Sequence, residues 1–152
     1  MVQLQNYSDD RGFLVALEDQ KDVPFSIRRI YYIFGTSESV QRGFHAHINL
    51  TQLAIVIRGT CKFVLDDGVE RREVLLNNPA EGMLIESMIW REMHDFSDDC
   101  VLMVLADSHY DEADYIRDYD EFIEKISARD SGVDVCKNVE KKSKYDDSVI
   151  RY

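Results

Sequence analysis

Apolar and polar residues follow one another in short blocks over the first hundred positions, and turn-forming residues separate the blocks. Gln3 to Tyr7 fits a short strand, Asp9-Asp10-Arg11-Gly12 a turn, and Phe13-Leu14-Val15-Ala16-Leu17 a second strand before the polar stretch Glu18 to Asp22. After Pro24, Ser26 to Phe34 is rich in β-branched and aromatic residues, which pack well on a pleated surface, and it predicts a strand. The polar loop Thr36 to Gln41 delivers the chain to the stretch Val40 to Gln52, which runs into the apolar segment Leu53 to Ile57 and the turn Arg58-Gly59. Asp66-Asp67-Gly68, between Lys62 to Leu65 and Arg71 to Leu75, is a hairpin signal. A loop over Asn77 to Gly82 and strands over Met83 to Ile85, Ile89 to His94 and Cys100 to Ala106 complete the series. Such a rhythm, with no βαβ alternation and no Gly-rich phosphate loop, predicts an all-β antiparallel sandwich or barrel.

The period changes after Ala106. Phe122, Ile123 and Ile126 recur at helical spacing within Tyr119 to Ser127, with acidic residues early and Lys125 late, so one C-terminal α-helix is predicted. From Ala128 the chain turns polar, with Lys141-Lys142-Ser143-Lys144 in an otherwise acidic protein. This divides it into a folded domain over 1–128 and a solvated tail over 129–152.

The 152 residues suit one domain, and the net charge of −11, from 18 basic and 29 acidic residues, opposes general attraction to nucleic acid or anionic membranes. An anionic ligand needs only a few local arginines. No apolar run approaches the roughly 20 residues of a membrane span, and Met1 to Gln5 lacks a basic flank and apolar region of a secretory signal. Three widely separated cysteines imply reduced thiols and a cytoplasmic setting, with Cys61 and Cys100 as small core residues.

The candidate chemistry lies in Arg42-Gly43-Phe44-His45-Ala46-His47. In an extended chain His45 and His47 share one face, with Ala46 opposite. Paired imidazoles can hold a metal or move protons near neutral pH. The spacing Gly-x-His-x-His, followed by Gln52 and Gly59, resembles the first motif of the cupin superfamily. Metal-binding cupins usually place a glutamate where Gln52 stands, and an amide is a weaker ligand for a first-row cation. After Pro79-Ala80-Glu81-Gly82 come Met83, Leu84 and Ile85 where a second motif supplies a histidine, and His94 reads as a packed strand end. No metal is therefore expected, and the imidazoles suit general acid–base work at a carbon beside a carbonyl. Arg42, Arg29 and a strand tyrosine can serve the developing enolate. An isomerase or epimerase is favoured over a hydrolase, since no serine occupies a Gly-x-Ser-x-Gly elbow.

Five blocks in order, Arg42-Gly43-Phe44-His45-Ala46-His47, Leu65-Asp66-Asp67-Gly68, Met88-Ile89-Trp90, His94-Asp95-Phe96-Ser97 and Tyr110 to Tyr119, resemble the dTDP-sugar 3,4-ketoisomerases over roughly residues 3–127. The resemblance implies a cupin jelly roll, a homodimer with exchanged N-terminal strands, and dTDP-4-keto-6-deoxy-D-glucose as substrate. The ketone moves from C4 to C3 through an enediol without metal or redox cofactor, and the product is aminated at C3 on the way to a surface glycan. The resemblance makes His47 the base at C3, His45 its partner or alternate, and Arg42 a stabiliser of the enediolate or a diphosphate ligand. Tyr32 becomes a proton donor or sugar ligand, Arg29 a phosphate ligand, Gln52 a sugar ligand, and Trp90 a nucleotide stack or barrel filler. Arg11 and Arg91 line the sugar face or are plain surface charges. Ile48 stands where a lysine often follows the histidines, and the galacto or gluco configuration at C4 stays open. Asp114-Tyr115-Ile116-Arg117 reads as capping and packing ahead of the helix. The alternatives are a 3,5-epimerase, whose histidine would be paired with an aspartate in a tyrosine context not found in this sequence, so that no such His–Asp pair is expected; a non-catalytic nucleotide-sugar binder with a docking tail; and a metal-dependent oxygenase.

Overall fold

The structure is a computed structural model, and it describes residues 1–130. Its strands are β1 (Val2–Gln3), β2 (Asn6–Asp9), β3 (Gly12–Val15), β4 (Arg29–Phe34), β5 (Arg42–His47) and β6 (Gln52–Arg58), then β7 (Cys61–Asp66), β8 (Arg71–Leu76), β9 (Glu81–Ile85), β10 (Trp90–His94), β11 (Val101–Ala106) and β12 (Tyr115–Ile116). A single 3₁₀ turn, Glu112–Asp114, precedes β12, and α1 (Tyr119–Asp130) closes the described chain. The helix passes the expected domain boundary by two residues, while Cys136, Lys141 to Lys144 and the rest of the tail lie outside the described residues.

Two five-stranded antiparallel sheets, ordered β1-β9-β6-β11-β4 and β12-β5-β10-β7-β8, face each other as a jelly roll. Between them Ala54, Val56, Cys61, Phe63, Met83, Ile85, Met93, Cys100, Leu102 and Val104 form the main core. The back of the first sheet packs Leu53, Ile55 and Leu105 against Leu4, Val23, Phe25 and Ile27 of the N-terminal segment. β6 is thus covered on both faces, which explains the unbroken apolar run Leu53 to Val56. The back of the second sheet packs Ala46, Met88, Trp90 and Ile116 against Phe122 of α1.

Strand β4 alternates cleanly. Arg29, Tyr31 and Ile33 face inward, while Ile30, Tyr32 and Phe34 point out and are 57%, 66% and 68% exposed. The β2–β3 hairpin pairs only with itself among the described residues, and it holds Tyr7, Phe13 and Leu14 exposed.

Candidate active site

The geometry begins at a bulge in β5. Gly43 and Phe44 both have positive φ, +88° and +54°, and the pairing with β10 slips there, so His45 comes to stand opposite Arg91. From that point the strand alternates. Ala46 lies under α1, and His45 and His47 share the inner face with ring centroids 4.9 Å apart.

His47 is nearly solvent-free and lines a cleft of about 210 Å³ together with Arg29, Asn49, Leu50, Ser108, His109, Asp111, Asp114 and Tyr115. Tyr115 packs across both imidazoles, 4.2 Å from His47 and 4.9 Å from His45. The Arg117 guanidinium covers the Tyr115 ring at 4.3 Å, and Glu112 holds Arg117 through two hydrogen bonds. Arg29 stacks over Tyr31 and Tyr110, and its buried Nε makes no hydrogen bond within the described residues.

Behind the imidazoles Arg91 is 2% exposed. It donates to the Ile89 carbonyl through Nε and Nη2 and to the Gln52 amide oxygen through Nη1, and Gln52 in turn donates to the Tyr31 hydroxyl at 2.9 Å. Burial lowers the Arg91 pKa to about 10, still far above neutrality, so a full positive charge sits inside the barrel. Burial first, and then the Arg91 charge, hold His45 down at about 4. Burial and the charges of Arg91, His45, Arg29 and Arg117 hold His47 at about 2. Both rings are therefore neutral at neutral pH. Each uses Nδ1 for a hydrogen bond at 3.0 Å: His45 to the Gly43 carbonyl, His47 to the Asp114 carboxylate. A carbonyl and a carboxylate only accept, so both Nδ1 atoms carry hydrogen and both Nε2 atoms carry a lone pair.

Several expected site residues lie elsewhere. Tyr32 is on the outer face of β4; a side-chain period of two allows Arg29 and Tyr31 inside together, never Arg29 and Tyr32. Trp90 points outward into the helix layer, against Tyr119 and Phe122, with its Nε1 donating to Glu92, and it is not among the cleft-lining residues. Arg11 sits at the exposed hairpin turn, ion-paired to Asp9. Gln52 is buried with its amide oxygen on Arg91 and its amide nitrogen on Tyr31, so it braces those two, and it is not among the cleft-lining residues. Arg42 opens β5 opposite Met93 and is not among the cleft-lining residues. His94 is on the outer face, bound to Glu92. Among the described residues, no three His, Cys, Asp or Glu side chains group at metal-binding distance.

Sequence reasoning missed Tyr31, Asn49, His109 and Tyr115, and it misread Asp114. Asp111 caps the 3₁₀ turn, accepting from Ala113 N, and Asp118 stands before α1, accepting from Glu121 N, whereas Asp114 turns to His47. The expectation that this chain lacks a His–Asp pair is thereby corrected, and such a pair does not separate a ketoisomerase from an epimerase here.

A family model described as FdtA: WxcM-like, C-terminal, matches residues 1–127. TDP-4-oxo-6-deoxy-alpha-D-glucose-3,4-oxoisomerase of Aneurinibacillus thermoaerophilus is 48% identical over 135 residues, 87% of this chain and 97% of that protein. The structure of a 3,4-ketoisomerase from Helicobacter canadensis matches with a TM-score of 0.81 at 44% identity, covering 83% of this chain and 95% of the other. That of QdtA, a sugar 3,4-ketoisomerase from Thermoanaerobacterium thermosaccharolyticum in complex with TDP, matches with a TM-score of 0.82 at 40% identity, covering 84% and 93%. A histidine-to-asparagine mutant of QdtA has been solved in complex with TDP-4-keto-6-deoxyglucose. By family model, sequence and fold together, this chain belongs to the dTDP-sugar 3,4-ketoisomerase family of the cupin superfamily.

Proposed function

We propose that the chain converts dTDP-4-keto-6-deoxy-D-glucose to a dTDP-3-keto-6-deoxyhexose. The observation that carries this reading is a pair of neutral imidazoles, both with Nε2 lone pairs, buried beside the unneutralised charge of Arg91. The C3–H bond breaks and its proton passes to Nε2 of His47. The electron pair becomes the C3–C4 double bond of an enediolate, with charge on O4. O4 takes the proton that O3 gives up, relayed through Nε2 of His45, and C4 takes the proton that His47 holds once it has exchanged with solvent, which leaves the carbonyl at C3 and both rings neutral again. Protons and electrons balance, so the reaction is an internal redox exchange needing no external oxidant.

Arg91 supplies fixed positive charge toward the enediolate and needs no reorganisation to do so. Arg29, at the cleft with an unpaired Nε, takes the diphosphate. That anion also cancels part of the field that depresses His47, so the ring becomes a stronger base once substrate is in place. The 3-keto product is suited to amination at C3 by a PLP enzyme. No helix among the described residues is long and apolar enough to cross a membrane, and we place the activity in the cytoplasm. A second copy of the chain is proposed to cover the exposed β2–β3 hairpin and the outer face of β4, giving a homodimer with exchanged N-terminal strands. Light scattering of wild type and of Tyr32→Glu/Phe34→Glu tests it, with a dimer and a monomer expected.

The deciding experiment is incubation with dTDP-4-keto-6-deoxyglucose in D2O, followed by NMR. The expected product has its carbonyl at C3 and deuterium at C4, and its coupling constants give the C4 configuration. A carbonyl that stays at C4 while C3 and C5 invert means a 3,5-epimerase, and binding without exchange means a non-catalytic cupin.

A further inference from the structure

The structure assigns Asp114 as the positioning residue that makes His47, rather than His45, the base; this rests on the ketoisomerase reading above. The two imidazoles share a face and a tautomer but differ in what holds Nδ1. For His45 it is the neutral Gly43 carbonyl, and for His47 a carboxylate. When a ring takes a proton at Nε2 it becomes a cation, and only His47 then has an anion on its other nitrogen.

Asp114 is itself fixed at both oxygens. Oδ2 faces His47 at 3.0 Å, while Oδ1 accepts from the Asn49 backbone N at 2.9 Å and from Asn49 Nδ2 at 3.3 Å. Its backbone is tied to the same place, since the Asp114 carbonyl accepts from Ile48 N at 3.0 Å and Tyr115 pairs with His47 across β12 and β5. The Asp114 side chain is 14% exposed and that of His47 is 2% exposed, so the contact lies out of bulk water, where a charge-assisted hydrogen bond is strong. The carboxylate has a further constraint to supply. Without an acceptor-only partner, a neutral His47 can place its hydrogen on Nε2, where it would block proton abstraction. In the step itself the proton moves from C3 to Nε2, the electron pair goes to C3–C4 and O4, and Asp114 stays ionised and gains no proton.

The test is Asp114→Asn, compared with wild type, Asp114→Glu and His47→Asn. Asparagine preserves size and an acceptor for the Asn49 amide, yet it can donate its own N–H to Nδ1 and so permit the wrong tautomer. The expected result is a kcat about 10²- to 10⁴-fold lower, with KM within about threefold and partial recovery in Asp114→Glu. Imidazole ¹⁵N NMR should show the His47 hydrogen on Nδ1 in wild type and displaced to Nε2 in Asp114→Asn. A merely structural anchor would not move that signal, and NMR reads it in any variant that folds. The assignment is overturned if Asp114→Asn keeps kcat within threefold, or loses it with the tautomer unchanged. If His47→Asn still exchanges the C3 proton at the wild-type rate, the base assignment itself fails, which is a separate outcome.

Discussion

A Cβ placed on Gly43 would stand 2.7 Å from the carbonyl oxygen of Arg91. The two residues lie on neighbouring strands, and the close approach lets β5 bulge so that His45 pairs opposite Arg91. Gly43 also has φ +88°, where any side chain strains the backbone. Gly43→Ala is therefore expected to cost about 1–3 kcal/mol in strain and to lower Tm by several degrees. Its kcat should fall further than the lost stability explains, because the clash pushes on the backbone that carries Arg91. Calorimetry and kinetics on the folded fraction check this, and a variant with wild-type kcat would show that the bulge does not set the site.

Tyr31 and Tyr32 are adjacent in the chain and point to opposite faces of β4. Tyr31→Phe removes the hydroxyl that Gln52 donates to, leaves a buried amide N–H short of a partner, and loosens the brace on Arg91. The expected loss is about 1–3 kcal/mol in stability and about tenfold in kcat. Tyr32→Phe changes an exposed ring on the outer face and should leave stability within about 0.5 kcal/mol and kcat unchanged. Parallel urea titrations and initial rates separate the two, and equal effects would contradict the inward assignment of Tyr31.

The same pair shows how far the sequence could be read. Period-two alternation was enough to place His45 and His47 on one face with Ala46 opposite, because a strand permits no other arrangement. The rule also carries Tyr31 inward with Arg29, so this part of the site was legible in the residues. Turn residues and apolar blocks located the strands and the helix for a related reason: they respond to local geometry and burial. Asp114 was not legible. It is 67 residues from His47, and in a block of four acids, Asp111, Glu112, Asp114 and Asp118, local sequence does not say which one caps and which one turns inward. That is decided by β12 pairing with β5, a contact made by only two residues per strand. Trp90 was ambiguous for a comparable reason, since a strand covered on both faces offers an aromatic ring two homes and only the docking of α1 selects one.

Arg91 carries a buried charge held by a carbonyl and an amide rather than by a carboxylate. Replacing such a charge with an apolar side chain of similar length removes a large desolvation cost, though it leaves the Ile89 carbonyl and the Gln52 oxygen short of a donor. These terms oppose each other, and Arg91→Met is expected to keep stability within about 2 kcal/mol of wild type. Its kcat should nonetheless drop at least about 100-fold, the usual consequence of losing a preorganised oxyanion partner. Thermal unfolding and turnover measured side by side test the dissociation of stability from activity. A variant that loses neither would place the enediolate away from Arg91.

Acid should weaken this fold through its histidine pair. Burial and the neighbouring positive charges hold His45 at about 4 and His47 at about 2, against an ordinary value of 6.5 that the unfolded chain recovers. Below 6.5 the unfolded state therefore binds protons that the folded state refuses, and stability falls with pH. It is full above 6.5, and the loss is complete for His45 near 4 and for His47 near 2. Between 6.5 and about 4, one such imidazole costs on the order of 3 kcal/mol, at about 1.4 kcal/mol per pH unit. Carboxylates titrate in the lower part of that range, so the measurement needs a reference that lacks only the rings. Urea midpoints for wild type and for His45→Asn/His47→Asn at pH 7, 6, 5 and 4.5 provide one. Wild type should lose stability steadily from about pH 6.5, whereas the double variant should stay level until the carboxylates begin to protonate. Parallel curves for the two proteins would mean that the imidazoles are not held neutral by the barrel, and the proposed base would lose its electrostatic footing.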